Sequence, residues 1–266
     1  MVSSHDPDSP PLPPGLAELL AGYGATPVTI GCSGHEVIHF TREGGPGLYL
    51  KTARRTPRML LQKERLRLEW LVPHLAVPQV YFYAATDNSE YLLTGEIPGI
   101  HAAHPSHTTD IPHLLQLLAE GLRMFHGLPI AGCPFDARLD HLLADARHRA
   151  DAGEIDESEF EADYQGRSAH DILRQAEQER RDNEDLVVLH GDYSLPNIII
   201  NNGSISGLID MAFAGVGDRY NDLVCAAWSI NYNLGPGHFP AFLRAYGIEE
   251  LDQEKFEYYR LVKQLS

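Results

Sequence analysis

Hydrophobic positions along the chain follow two different periods, one on each side of residue 95. Before it, short apolar runs lie between turn-forming glycines such as those at 31–34 and 44–47, which predicts antiparallel strands. The expected strands are 28–30, 37–40, 48–51, 80–84 and 91–94. Leucines recur at near-helical spacing among the charged residues of 60–75, so we expect one longer helix there, after a short one at 16–20.

After residue 95 the apolar residues recur mostly at helical spacing. The expected helices are 111–126, 139–152, 169–181, 223–232, 239–246 and 253–265. A sheet followed by helices predicts an α+β fold with two unequal lobes. We expect a flexible, proline-rich tail at 1–14, an N-terminal lobe at 15–95 and a C-terminal lobe at 96–266.

One segment of the helical half has strand character and carries most of the candidate chemistry. The apolar run 186–189 leads into His190-Gly191-Asp192, and Asn197 follows five residues after Asp192. Two further apolar runs flank Asn202-Gly203, a pair that favours the positive φ angles of a type I′ hairpin turn. Because the two strands have similar lengths, we expect Asp192, Asn197 and Asp210 to lie at the same end of the hairpin.

Two carboxylates and an amide oxygen at one place suit Mg²⁺, which prefers oxygen ligands and bridges to substrate phosphates. In phosphoryl transfer Asp192 would accept the proton of the attacking hydroxyl, while Asn197 and Asp210 would hold the metal. Asp residues also commonly cap turns, and that simpler interpretation applies to each aspartate alone. The hairpin, the amide at the right offset and the terminal Asp210 together favour a kinase-like catalytic loop.

The first 95 residues contain candidates for binding a nucleotide, either ATP or GTP. Tyr49 and Lys51 alternate along one strand and so share a face, where the ring would pack on adenine and the ammonium would meet the phosphates. Glu64 on the predicted helix is a candidate ion-pair partner for Lys51. Ser33, in a glycine-containing loop that also fits a simple hairpin turn, would offer its backbone to phosphate. Residues Gly95 and Ile97 would form the hinge that hydrogen-bonds adenine.

Composition and charge narrow the functional classes. The 266 residues are 43% hydrophobic and 22% charged, with a formal net charge of −16, so we expect a folded protein without the basic surface that nucleic acids require. No apolar run is long enough to cross a bilayer, and the start lacks the pattern of a signal peptide. We therefore expect a cytoplasmic protein with no membrane partner. Three widely spaced cysteines indicate neither a disulfide framework nor a zinc site.

Most of the excess negative charge lies after residue 95, and it is densest at 151–163. Such a run is often only a solvated face. It is also the kind of wall that concentrates a cationic ligand. On that hypothesis the residues available to a positively charged acceptor are Glu157, Glu159, Glu161 and Asp163.

Motifs spread from about residue 31 to the end together resemble the aminoglycoside phosphotransferase family, in particular its 3′-phosphotransferase branch. They are Gly31-Cys32-Ser33, Leu48-Tyr49-Leu50-Lys51, Glu64 with Trp70-Leu71, Val77-Pro78, Cys133-Pro134-Phe135-Asp136, His190-Gly191-Asp192 with Asn197, Gly207-Leu208-Ile209-Asp210, Asp218-Arg219-Tyr220 and Asp222-Leu223.

The resemblance implies a bilobal, protein-kinase-like fold that transfers the γ-phosphate of a nucleotide to an antibiotic hydroxyl and thereby confers resistance. By the same correspondence Asp192 is the catalytic base, and Asn197 and Asp210 hold Mg²⁺. Lys51 and Glu64 form the pair on the phosphate side, and Tyr49 stacks on adenine. Asp218 and Arg219 have a structural role.

The sequence departs from the family at positions that face the drug. The branch commonly ends in acidic and aromatic residues, whereas this chain ends in Lys263-Gln264-Leu265-Ser266. Ala212-Phe213 and Leu195 also differ from the usual residues. We therefore expect a cationic but atypical acceptor: an unusual aminoglycoside, a basic peptide antibiotic or a nucleoside antibiotic. Tyr193, Phe213 and Tyr232 are the candidates to pack against it.

Two other functions fit the same residues. One is a metabolic kinase of the same fold that phosphorylates an amino alcohol or a sugar. The other is an inactive nucleotide-binding module, which the complete set of candidate catalytic residues disfavours. A zinc site at His101, His104 and His107 is also disfavoured, because Pro105 interrupts a continuous helix and no nearby carboxylate completes the set.

Overall fold

The computed structural model describes residues 12–28, 36–56 and 58–266. Within them the helices are α1 (Leu16–Leu19), α2 (Leu60–Leu71), α3 (Ile111–His126), α4 (Leu139–Ala152), α5 (Ala169–Gln178), α6 (Tyr220–Leu234), α7 (Phe239–Tyr246) and α8 (Gln253–Lys263). The strands are β1 (Gly24–Pro27), β2 (Glu36–Thr41), β3 (Leu48–Arg54), β4 (Val80–Ala85), β5 (Ser89–Gly95), β6 (Ile100–His101), β7 (Leu186–Leu189), β8 (Ile198–Asn201), β9 (Ser204–Leu208) and β10 (Gly215–Asp218).

The chain divides into two units. The first consists of Met1–Ile100 and Ile199–Ala212, and the second of His101–Ile198 and Phe213–Ser266. The predicted lobes are continuous in sequence, so the structure differs from the prediction in grouping the hairpin with the N-terminal part. Most of the predicted tail at 1–14 lies outside the described residues.

An antiparallel five-stranded sheet, ordered β1-β2-β3-β5-β4, forms the centre of the first unit. Its core contains Leu50 of β3 and Leu93 of the neighbouring β5 together with Leu16 of α1. A strand was expected at 28–30, but β1 ends at Pro27, and Val28 only donates its N–H to the carbonyl of Val37. Residues 29 and 30 lie outside the described part of the chain.

The predicted hairpin is present as β8 and β9. Its turn residues Asn202 and Gly203 have φ angles of 49° and 74°, as a type I′ turn requires. Leu208 N–H donates to the carbonyl of Ala76 at 3.0 Å, and a Cβ on Gly207 would lie 2.7 Å from the same oxygen. This close approach explains both the glycine and the grouping of the hairpin with the first unit.

Helices predominate in the second unit, where α3 packs on α7, α4 on α5 and α6 on α8. The short strands β7 and β10 pair antiparallel, with Leu189 opposite Gly215. The sequence did not predict β10, because its glycines have low strand propensity. A Cβ on Gly217 would lie 2.5 Å from the carbonyl of Ala137, so the packing of this strand requires glycine. None of the helices described has both the length and the apolar character that a membrane span requires.

Candidate active site

A cluster of one cation and two carboxylates lies in the first unit. Lys51 Nζ, on β3, is 2.7 Å and 2.9 Å from the two carboxylate oxygens of Glu64 on α2, and 2.9 Å from Oδ1 of Asp210. The exposed fractions of the three side chains are 16%, 4% and 34% respectively. The predicted Lys51–Glu64 ion pair is therefore present in the structure, and Asp210 is a third member.

The charge of this cluster is fixed by its geometry. Burial alone lowers the pKa of Lys51, but the adjacent charges of Glu64 and Asp210 outweigh burial and raise it above its ordinary value. The lysine therefore stays protonated at neutral pH. Glu64 is almost fully buried and fixes the direction of the ammonium, whereas Asp210 remains one-third exposed.

Asp210 has an uncommon backbone conformation for a residue with a side chain. Its φ is 68°, in the left-handed region that favours glycine. Strained positions of this kind cluster at functional sites, where the surrounding structure holds them in place. The φ angle, like the bond to Lys51, sets Asp210 apart from an ordinary turn-capping aspartate.

The predicted adenine contacts are in part already engaged within the first unit. The Tyr49 ring stacks on His39, with centroids 4.4 Å apart and planes 9° apart, so one ring face is covered. The N–H of Gly95 donates to the carbonyl of Gln79 at 2.8 Å. The contact of the Gly95 and Ile97 backbone with adenine stays a prediction. Ile97 lies against the Cα of Gly207. Ser33 lies outside the described residues.

The predicted catalytic loop follows β7 in the second unit and is held by a buried carboxylate. Asp222, on α6, accepts the backbone N–H of His190 and that of Gly191, each at 2.8 Å. Gly191 has a φ of 84°, and a Cβ there would lie 2.4 Å from the carbonyl of Phe213. The backbone immediately before Asp192 is therefore fixed on both sides.

Asn197 is bonded directly to the candidate base. Its Nδ2 donates to the carbonyl of Asp192 at 3.0 Å and to Oδ2 of the same residue at 3.1 Å. Its Oδ1 is the atom suited to a cation. The loop between them is short: Ser194 N–H donates to the Asp192 carbonyl, and a 3₁₀ turn at Leu195–Asn197 leads into β8.

A second layer of buried polar groups supports this loop. His126 Nε2 lies 3.0 Å from Asp222 Oδ2, and its Nδ1 lies 2.7 Å from the hydroxyl of Tyr246. Burial raises the pKa of Asp222, but the hydrogen bond and charge of His126 and the N–H of His190 lower it below its ordinary value overall. Sequence reasoning missed His126, which sits among leucines on α3 and has no local signal of function.

Asp218 and Arg219, expected to be structural, have structural partners. Asp218 is fully buried and forms an ion pair at 2.6 Å with Lys255, and it accepts the N–H of Tyr220, the first residue of α6. Arg219 forms an ion pair with Asp185 and donates to the hydroxyl of Tyr246. These residues position α6, the helix that carries Asp222.

A cavity of about 390 Å³ in the second unit has Asp192 in its wall. Most of its lining residues are polar or charged, and two, Phe160 and Trp228, are aromatic. The lining residues that bear on the chemistry are Glu154, Asp156, Glu159, Glu161, Ser194, Cys225, Trp228, Lys263 and Gln264. The volume is at the lower end of the range for small-molecule sites.

Of the predicted acidic acceptor contacts, Glu159 and Glu161 line this cavity. Glu157 instead accepts the N–H of Ala169 at the start of α5. Arg260 forms ion pairs with both Glu161 and Asp163 at 2.7 Å, so it partly neutralises the acidic segment. The expected attraction of a cation is therefore weaker than the sequence indicates.

The three aromatic residues predicted to pack against the acceptor differ in their exposure. Tyr193 is only 1% exposed and donates its hydroxyl to the carbonyl of Leu118 at 2.6 Å, so its prediction as an acceptor contact is wrong. Phe213 and Tyr232 are 43% and 77% exposed. Tyr232 stacks on Trp228, which sequence reasoning missed and which belongs to the cavity wall.

The donor atoms fit magnesium better than zinc. Asn197 and Asp210 offer amide and carboxylate oxygens, the hard ligands that Mg²⁺ prefers. Within the described ranges, no group of three His, Cys, Asp or Glu side chains is arranged to hold a metal. His104, from the disfavoured zinc hypothesis, accepts the N–H of Ser106 and caps the 3₁₀ turn Pro105–Asp110.

Together the side chains of the two units are those of a kinase-type phosphotransferase: a Lys–Glu pair, an aspartate with an asparagine five residues later, and a further aspartate after a hairpin. Residues 25–259 match the model of the phosphotransferase enzyme family. The chain belongs to this family and, within it, to the aminoglycoside phosphotransferases.

Among its relatives, an aminoglycoside 3′-phosphotransferase from Niallia circulans is 34% identical over 93% of this chain and 94% of its own. One from Streptomyces fradiae is also 34% identical, over 88% of this chain and 92% of its own.

A crystal structure of an aminoglycoside 3′-phosphotransferase of type VIII is similar in fold, with a TM-score of 0.83 at 29% identity over 92% of this chain and 94% of its own. An aminoglycoside phosphotransferase from Streptomyces rimosus has a TM-score of 0.80 at 25% identity over 94% of this chain and 95% of its own. These neighbours confirm the predicted α+β, protein-kinase-like fold class.

Proposed function

We propose that this protein transfers the γ-phosphoryl group of a nucleotide, ATP or GTP, to a hydroxyl of an aminoglycoside-type antibiotic. The family and the names of the curated relatives support this activity. One observation of the structure carries it furthest: Lys51 is held by Glu64 and Asp210 in a charged cluster suited to phosphate groups. Each of its members was a candidate on sequence grounds.

In the proposed reaction the acceptor hydroxyl oxygen attacks the γ-phosphorus, and the bond from that phosphorus to the β,γ-bridging oxygen breaks. Asp192 accepts the hydroxyl proton, and the nucleoside diphosphate leaves. Lys51 binds the phosphates, Glu64 orients Lys51, and Asn197 and Asp210 would hold Mg²⁺. The metal would neutralise charge on the transferring phosphate.

The cavity beside Asp192 is the proposed acceptor site. Ser194 and Glu159 offer hydrogen-bonding groups there, and Trp228 with its stacked neighbour Tyr232 offers an aromatic surface for the apolar face of a sugar ring. The residue mixture is consistent with a polyhydroxylated acceptor that carries some positive charge.

A screen for nucleoside diphosphate release tests the proposal. Purified protein with ATP and Mg²⁺ is assayed against aminoglycosides, basic peptide antibiotics, nucleoside antibiotics and amino alcohols, and the phosphorylated product is located by mass spectrometry. We expect turnover of at least one aminoglycoside and loss of that turnover when Mg²⁺ is chelated. Turnover of amino alcohols alone would contradict the proposal and favour a metabolic kinase, and nucleotide binding with no turnover would favour an inactive module.

A further inference from the structure

Lys263 is a cationic residue in the wall of the cavity that contains Asp192. It is the last residue of α8, and its Nζ donates to the carbonyl of Gly191 at 3.2 Å. Because Gly191 directly precedes Asp192, this bond places a positive charge beside the candidate base. Sequence reasoning noted Lys263 only as a departure at the end of the chain.

The ammonium keeps its charge in this position. Burial lowers the pKa of Lys263, but its contacts with Cys225 and the charges of Asp192 and Asp222 outweigh burial and raise the pKa above its ordinary value. Burial also raises the pKa of Cys225 to about 11, so its thiol is neutral at physiological pH. With the thiol neutral, the charges that stabilise the ammonium are those of the Asp192 and Asp222 carboxylates, while its hydrogen-bonding partners, a carbonyl and a thiol, are uncharged.

The acidic groups of the cavity do not all remain available to offset this charge. Glu161 forms an ion pair with Arg260 and accepts Gln264 Nε2 at 2.9 Å. Asp156 accepts both the N–H and the hydroxyl of Ser158. The cavity wall contains two cations, Arg149 and Lys263. Arg149 donates to the carbonyl of Leu265, whereas Lys263 donates to the carbonyl of the residue directly before Asp192, the group to which the reacting hydroxyl has to hydrogen-bond.

We propose that Lys263 determines acceptor specificity by favouring a neutral group, and disfavouring an ammonium, on the carbon next to the reacting hydroxyl. An ammonium there would lie within a few ångströms of a like charge in a partly desolvated cavity, where repulsion is strong. A hydroxyl in the same place accepts a hydrogen bond from the lysine, whose ammonium has three donors. This inference rests on the proposed function and narrows its substrate class.

Kanamycin A and kanamycin B test the inference, because they differ by a hydroxyl or an amine on the carbon beside the 3′-hydroxyl. For the wild-type protein we expect kcat/KM to be at least about tenfold higher with kanamycin A, which corresponds to about 1.4 kcal/mol. A wild-type ratio near one, or a preference for kanamycin B, would overturn the inference without the use of any variant.

Two variants assign the preference to the charge of Lys263. Lys263→Met is expected to reduce the ratio to within about threefold of one, and Lys263→Arg, which keeps the charge, to retain it. Any loss of activity caused by breaking the Lys263–Gly191 hydrogen bond affects both kanamycins and therefore cancels in the ratio of their kcat/KM values. Arg174→Met removes one positive charge from an exposed ion pair on α5 and is expected to leave the ratio unchanged. An unchanged ratio in Lys263→Met would refute the assignment.

Binding measured by calorimetry, with ADP present, separates this inference from the proposed function. Tighter binding of kanamycin A than of kanamycin B supports the inference even if turnover is slow. Equal binding of both overturns the inference and leaves the proposed function intact. Binding of neither drug, together with no turnover of any aminoglycoside, overturns both.

Discussion

Two of the ion-pair clusters among the described residues differ in burial and in proposed role. Lys51, Glu64 and Asp210 come from distant parts of the chain, and their side chains are 16%, 4% and 34% exposed. The cluster of Arg260 with Glu161 and Asp163 is more open, with side chains that are 25%, 26% and 70% exposed. A buried cluster is fixed by its surroundings, whereas an exposed one is weak and screened by salt. The groups proposed to bind phosphate are thus more buried than the acidic groups proposed to face the acceptor.

Among changes to the two clusters and their supports, removing the central cation of the buried cluster is expected to have the largest effect. Lys51→Met leaves two carboxylates without their shared partner and removes a phosphate ligand, so we expect kcat/KM to fall by about 10² to 10³. Steady-state kinetics measures the loss, and circular dichroism checks the fold. The same substitution at Lys63, the residue before Glu64 on α2, is the matched control and is expected to stay within about threefold of wild type. Equal losses in the two variants would mean that the Lys51 cluster has no special role.

The sequence predicted the residues that follow a local pattern, but it did not predict the contacts between residues far apart in the chain. Asp192, Asn197 and Asp210 are marked by fixed spacings around a hairpin, and Lys51 by its position on a strand, because local geometry dictates those patterns. Burial of Tyr193 and the pairing of Arg260 with Glu161 depend on contacts between residues far apart in sequence. Such contacts leave no periodic signal. The approach of Asp210 to Asn197 stays a prediction.

The second-largest effect is expected from replacing Asp222, the carboxylate that holds the catalytic loop. Asp222→Asn keeps the shape but replaces one acceptor oxygen with a donor that faces a backbone N–H, so we expect a loss of about 3 kcal/mol in the free energy of unfolding. Because the pKa of Asp222 is below its ordinary value of 3.8, its stabilising contribution is present above that value and is lost as pH falls below it.

Urea unfolding of both proteins across an acidic pH series measures this difference. The stability gap between wild type and Asp222→Asn should narrow as the pH falls below about 4. A gap that stays constant over the whole series would contradict the role assigned to the ionised carboxylate.

A smaller loss of stability is expected from the glycine in the same loop. Gly191→Ala places a methyl group 2.4 Å from the Phe213 carbonyl at a φ of 84°. Gly153 also has a positive φ, of 67°, but nothing lies within 4 Å of an added Cβ. We therefore expect a loss of about 2 to 3 kcal/mol at Gly191 and about 1 kcal/mol at Gly153. Thermal unfolding of both variants measures these losses, and their difference gives the cost of the steric clash at Gly191. Equal losses would show that the loop moves enough to accommodate the added methyl group.

The exposed cluster should respond least. Arg260→Met removes ion pairs with Glu161 and Asp163 that water already screens, so we expect less than about 1 kcal/mol of destabilisation. Its release of Glu161, which lines the cavity, should strengthen binding of a polycationic aminoglycoside a few-fold at low salt, and less at high salt. Calorimetric titration at two salt concentrations measures this. A loss of stability as large as that of Asp222→Asn would remove the distinction between the clusters.

The most direct test of the account is single-turnover phosphoryl transfer by Asp192→Asn with an accepted aminoglycoside. If Asp192 accepts the hydroxyl proton, the variant will bind ATP as tightly as wild type, while transfer slows by about 10³ or more. Transfer within about tenfold of the wild-type rate, at equal nucleotide binding, would contradict the assignment of Asp192 as the base.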